Sequence, residues 1–155
     1  MPSFMNNQES KTTKRYYPKN KEKCNLEYVV CRSTWEEKFA RWCDLNSSVI
    51  TWSSEPFAIP YYDPVKQKER RYFIDFLVKC KTKKNETKVY LIEIKPYKEL
   101  MLPKKTKGKS KKTMLYEQTT SLTNRAKWKA AMLYCKKRGF EFKIFTEKEL
   151  FGKGV

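Results

Sequence analysis

Histidine is absent from this 155-residue chain. Its absence excludes Cys/His zinc ligation and histidine-based triads. No run of about 20 apolar residues is present, so no membrane span is expected. Met1 to Lys23 is polar and lacks the apolar stretch of a secretory signal. The five cysteines, Cys24, Cys31, Cys43, Cys80 and Cys135, are scattered and include no CxxC pair. That odd set predicts free thiols in a reducing setting. There is no internal repeat. With these options removed, any catalysis must run on carboxylates, lysine and hard cations bound through oxygen.

Negative charge is also scarce. Asp plus Glu number 17 against 35 Lys plus Arg, giving a net charge of +18. Such an excess calls for a polyanionic partner, and nucleic acid is the expected one. Hydrophobic residues make up 39% and aromatics 15%, enough to build a core in a single domain. We expect residues 1–23 to be a flexible basic arm and residues 24–155 to be that domain.

Ser33 and Glu36 have capping-box spacing and open a helix. Trp35, Phe39, Trp42 and Cys43 follow at helical spacing and are expected in the core, as are Trp52 and Trp128. Val49 to Trp52 predicts a short strand, and Glu55 to Tyr61 an extended segment interrupted by prolines. Tyr72 to Cys80 and Lys88 to Lys95 predict two strands of a hairpin joined by the polar loop Lys81 to Thr87. Pro96 ends the second strand. Two helices are expected next, near Met114 to Leu122 and from Asn124 to Lys137, with Gly139 as the stop. Phe140, Phe142 and Ile144 predict a last strand, and Thr146 with Glu149 caps a terminal helix. The expected order is α-β-β-β-α-α-β-α.

Charge interrupts the two central strands at Asp75, Glu93 and Lys95. Pairing about a centre near Lys84 sets Asp75 opposite Glu93. Strand alternation turns Asp75, Glu93 and Lys95 to one face with Phe73, Leu77 and Leu91. Ile74, Phe76, Val78, Tyr90, Ile92 and Ile94 form the other. Two apolar faces imply a sheet covered on both sides. Ionised groups in such a setting need a partner or a metal.

A site that hydrolyses phosphodiester bonds meets that need. Asp75 and Glu93 would share a Mg²⁺ ion, with Mn²⁺ as a substitute and the Ile94 carbonyl as a further ligand. Lys95 would orient the attacking water or neutralise charge in the transition state. Glu36 borders the apolar stripe of its helix and stands equally as a site residue or as a cap only. Glu37, by contrast, lines up with Arg41 and Asp44 on the solvated face. Glu55 and Gln118 read as ordinary surface or turn residues. Lys104, Lys105, Lys107, Lys109, Lys111 and Lys112 lie in a mobile basic loop, Pro103 to Thr113, suited to DNA phosphates.

Asp75 followed by Glu93-Ile94-Lys95 resembles the PD-(D/E)xK nuclease signature, with Ile74 where that superfamily often has proline. A longer match runs in order through Arg32-Ser33-Thr34-Trp35-Glu36, Glu55-Pro56, Ile59-Pro60-Tyr61 and Tyr72-Phe73-Ile74-Asp75-Phe76. It continues through Ile92-Glu93-Ile94-Lys95-Pro96, Asn124, Lys127-Trp128, Ala131 and Phe142 to Glu147. Over residues 30–150 the chain resembles the head completion nuclease family of T-even-like tailed phages. More remotely, it is similar to TnsA-type transposon endonucleases.

The resemblance implies an α/β, restriction-endonuclease-like core, a central mixed sheet flanked by helices on both faces. It implies a Mg²⁺-dependent nuclease acting on double-stranded DNA at packaged ends during head completion. Asp75, Glu93 and Lys95 would be its catalytic residues, and Glu36 would match a helical glutamate of the transposon-type enzymes. Phage head or neck proteins would be partners, in the virion and in the host cytoplasm during assembly. Two other readings stand beside it. One is a non-enzymatic DNA-binding protein of the head or neck, in which Lys95 serves a salt bridge. The other is a junction resolvase of the same superfamily, which would require a dimer.

Overall fold

The computed structural model describes residues 13–152. The elements in chain order are β1 (Lys14–Tyr16), β2 (Val29–Cys31), α1 (Thr34–Leu45), β3 (Val49–Ser54), β4 (Ala58–Asp63) and β5 (Lys68–Phe73). They continue with β6 (Phe76–Lys81), β7 (Thr87–Ile94), a 3-10 turn (Tyr97–Leu100), α2 (Lys111–Arg138), β8 (Glu141–Phe145) and α3 (Glu147–Phe151). Four strands form the central sheet in the order β3-β6-β7-β8. The first three are antiparallel neighbours, and β8 is parallel to β7. A parallel pair needs a long crossover, and α2 supplies it.

The sheet is mixed and covered on both faces, as expected. Phe76, Val78 and Ile92 pack with Phe39, Ala40 and Cys43 of α1 and with Leu150 of α3. On the opposite face Leu91 packs with Trp128, Ala131 and Cys135 of α2 and with Ile59, Tyr61 and Tyr72 of the β4–β5 hairpin. The alternation read from the sequence therefore holds through β6 and β7.

It fails at Ile74. The expected continuous strand from Tyr72 to Cys80 is broken at residues 74–75, and its two halves belong to different sheets. β5 pairs only with β4, whereas β6 enters the central sheet. At the break, Ile74 turns into the α2-side core and is fully buried. The Asp75 carbonyl accepts from the Glu55 N–H at 2.9 Å. Glu55 adopts φ 47°, a left-handed conformation at the end of β3 that aims its N–H at this point.

Other expectations also change. Part of the segment expected as a flexible arm is structured, because β1 pairs with β2 and Tyr16 is buried. The first twelve positions lie outside the described residues. Asp44 is not on a wet face. It is fully buried and accepts from the Tyr16 hydroxyl at 2.6 Å, the Lys19 N–H at 2.8 Å and the Asn20 N–H at 3.1 Å. Trp42 is half exposed rather than in the core.

The two helices expected after the basic loop are one 28-residue helix. Ser110 caps it by accepting from the Thr113 N–H at 3.0 Å, and Gly139, at φ 72°, stops it as expected. Thr146 and Glu149 form the expected reciprocal cap of α3. All five cysteines are free. Among the described residues, no helix is long and apolar enough to cross a membrane.

Candidate active site

The β6–β7 register pairs Phe76 with Ile92. One further step outward sets Asp75 across from Glu93, as the hairpin centre predicted. Asp75 Oδ2 accepts from the Ile94 N–H at 2.8 Å. This bond fixes the carboxylate beside the end of β7 and brings the Ile94 backbone to the site. Lys95 follows at the strand end, its Nζ 3.9 Å from Glu93 Oε2 and 3.9 Å from Glu99 Oε1. Glu93 is 6% exposed, so its charge needs support. The Tyr72 hydroxyl gives some, donating to Oε1 at 2.7 Å.

Glu36 approaches from α1. Its N–H donates to Ser33 Oγ at 3.1 Å, which is the expected cap. The reciprocal half differs: Oε1 reaches the Arg32 N–H, at 3.3 Å, rather than that of Ser33. Glu55, expected as ordinary, stands at the rim, with its carboxylate 2.9 Å from the Arg32 guanidinium. Gln118 lies exposed on α2.

These carboxylates feel one another. Burial, and then the charge of Asp75, push Glu36 up to about 7. Burial and the same Asp75 charge drive Glu93 well above the usual range, against the pull of Lys95, the Tyr72 hydroxyl and Lys127. Burial raises Asp75 too. The Ile94 N–H and Lys95 oppose that rise, and Glu55 adds to it. Asp75 is thus the common neighbour of Glu36 and Glu93. Three carboxylates, from α1, the β5–β6 break and β7, meet at a half-buried place where burial disfavours their ionised forms.

Among the described residues, no three His, Cys, Asp or Glu side chains close into a preformed metal cage. The donor set nevertheless suits Mg²⁺, which keeps several waters and binds through one or two carboxylates plus substrate phosphate.

Two neighbours were not picked out as site residues. Tyr72 reads in sequence as an ordinary strand aromatic. Lys127, on α2, lies 5.7 Å from the Tyr72 ring centre. Burial and the like charge of Lys95 lower its pKa, while Glu93 raises it. Its position within the 28-residue helix, on the face turned to the sheet, is the signal that locates it.

Of the six loop lysines, Lys109 bonds Glu117 at 2.7 Å and the Lys104 carbonyl at 2.8 Å, and Lys105 bonds the Lys109 carbonyl at 2.6 Å. The loop is therefore tied to itself and to α2 rather than wholly loose. Lys111 and Lys112 belong to the first turn of α2. Lys104, Lys105, Lys107, Lys111 and Lys112 are exposed.

A mixed sheet with helices on both faces, an aspartate where one central strand begins and a Glu-x-Lys where its neighbour ends, defines a restriction-endonuclease-like nuclease core. Residues 46–147 match the family described as TnsA-like endonuclease N terminal, and the chain belongs to that family. The head completion nuclease of Enterobacteria phage T4 is 37% identical over 145 residues, covering 90% of this chain and 94% of that protein. The family match spans Asp75, Glu93, Lys95 and Lys127 but begins beyond Glu36.

Proposed function

We propose that this protein is a Mg²⁺-dependent endonuclease that hydrolyses phosphodiester bonds of double-stranded DNA and acts at packaged DNA ends during phage head completion. The observation that carries this reading is the meeting of Asp75, Glu93 and Lys95 across adjacent strand ends. Asp75 and Glu93, with the Ile94 carbonyl, would hold the ion, and Mn²⁺ would substitute for it. When bound, the ion supplies a lowered pKa for an attacking water and a clamp on phosphate oxygens. Tyr72 holds Glu93 in position through its hydroxyl. Lys95 orients the water and meets charge that develops on the phosphate. Glu36 completes the acidic cluster from α1. The loop lysines grip flanking phosphates without reading sequence.

In the alternative reading Lys95 serves only a salt bridge; its Nζ stands 3.9 Å from each of two glutamates. The head-completion setting is supported by the relationship to the T4 head completion nuclease; phage head or neck partners and a place in the virion and host cytoplasm are part of the proposal.

The test incubates purified protein with linear, supercoiled and branched duplex DNA, in Mg²⁺ or in EDTA, beside Glu93→Ala. Metal-dependent cutting that Glu93→Ala lacks supports the reading. Preference for branched DNA would favour junction resolution over head completion. Tight binding without cutting on every substrate would refute the enzymatic reading.

A further inference from the structure

A cavity of about 500 Å³ lies between the 3-10 turn, the basic loop and the N-terminal half of α2. This is the size of small-molecule sites, which run to about 300–1,000 Å³. Its wall includes Glu99, whose carboxylate is also 3.9 Å from Lys95 Nζ. The cavity therefore abuts the candidate active site. It is not a loose gap, because Arg125 of α2 donates to the Leu100 carbonyl at 3.0 Å and holds the turn in place.

Its chemistry is divided. Met101, Leu102 and Tyr116 give it an apolar side, and all three are large exposed hydrophobics, Tyr116 at 70%. Lys104 and Lys109 add positive charge. Glu99 and Glu117 also line it, which disfavours a phosphate inside, although Lys109 neutralises Glu117. Asn124 and Ser121 add buried polar groups. Apolar walls, one exposed aromatic ring, and carboxylate and amide groups suit a nucleobase with its exocyclic amines. The exposed Lys104 suits a phosphate beside it.

A base stacked in a duplex cannot enter such a cavity, whereas an unpaired one can. We infer that this cavity takes one unpaired nucleobase of the DNA beside the scissile phosphate, with Tyr116 as its stacking surface. The inference rests on the nuclease reading above and narrows its substrate to DNA with a single-stranded end or an unpaired nucleotide near the cut.

The test is binding by fluorescence anisotropy in EDTA, so that it does not depend on cutting. The probes are a blunt duplex and a duplex of equal length with a short single-stranded overhang. The variants are Tyr116→Ala, Tyr116→Phe and, as a distant surface control on α2, Leu133→Ala. Wild type should bind the overhang duplex about tenfold more tightly than the blunt one. Tyr116→Ala should bring that ratio close to one, while Tyr116→Phe and Leu133→Ala keep it. Equal binding of the two probes by wild type, or a ratio that survives in Tyr116→Ala, would overturn the inference. Absence of cutting in the Mg²⁺ incubation described above, with this binding ratio intact, would instead refute the nuclease reading alone.

Discussion

The hydroxyl of Tyr72 donates to Glu93 Oε1 at 2.7 Å, from the end of a hairpin strand that does not belong to the central sheet. The break at residues 74–75 makes this possible. It frees β5 from the line of β6 and lets Tyr72 fold over the end of β7. Tyr72→Phe keeps the ring in the core and removes only this bond. It should weaken Mg²⁺ affinity by about tenfold, as the loss of a ligand-supporting hydrogen bond does. Mg²⁺ titration followed by calorimetry checks it, and unchanged affinity would remove Tyr72 from the site.

Glu36 serves either the cap of α1 or the site, and Glu36→Gln separates the two. The amide still accepts from the Arg32 N–H, so the helix should lose under about 1 kcal/mol. The charge beside Asp75 is gone, and single-turnover cleavage should fall by about 10²-fold or more. Full activity would leave Glu36 as a cap.

Metal should act on stability as well as on activity. Burial and the charge of Asp75 disfavour the ionised form of Glu93 in the protein alone. Mg²⁺ at about 100 times its dissociation constant should then stabilise the fold by about 2.7 kcal/mol. The melting temperature should rise for wild type and stay fixed for Glu93→Gln. Equal shifts in both proteins would place the bound ion elsewhere.

Asp44 gives the chain an acid-sensitive clamp. Burial alone would raise its pKa, but the Lys19 N–H, the Tyr16 hydroxyl and Asn20 outweigh burial and hold it below the usual value. A carboxyl lowered in the fold contributes stability above its unfolded value of about 3.9. That contribution is lost as pH falls through the lower folded value. Asp44→Asn should cost about 2–4 kcal/mol at pH 7 and flatten the decline in acid. Urea unfolding at pH 7 and near pH 3 measures both effects.

The loop lysines should govern salt dependence. Each phosphate neutralised by a lysine contributes about 0.9 to the slope of log affinity against log salt. Replacing Lys104, Lys105, Lys107, Lys111 and Lys112 by Gln should flatten that slope by this amount for every phosphate the loop holds. An unchanged slope would take the loop off the DNA.

Much of this site was legible because strand periodicity is strict. The polar run after Lys81 fixed the hairpin centre, and the centre fixed Asp75 opposite Glu93. The split at Ile74 was not legible, since an apolar run reads the same whether one sheet or two receive it. Asp44 looked solvated because its acceptor role is satisfied by residues far back in the chain, at Tyr16 and Asn20. The uninterrupted α2 was hidden by Thr123 and Asn124, poor helix formers that tertiary packing overrides: Asn124 is 6% exposed. Lys127 was hidden for a related reason, because its neighbours come from β5 and β7.

Whether the chemistry runs on the paired strand ends is decided by single-turnover cleavage of duplex DNA in Mg²⁺ by wild type, Asp75→Asn and Lys95→Ala. Each variant should lose about 10²–10³-fold or more in rate, with DNA binding in EDTA retained. Cleavage within about tenfold of wild type in either variant would show that the chemistry does not run on these strand ends.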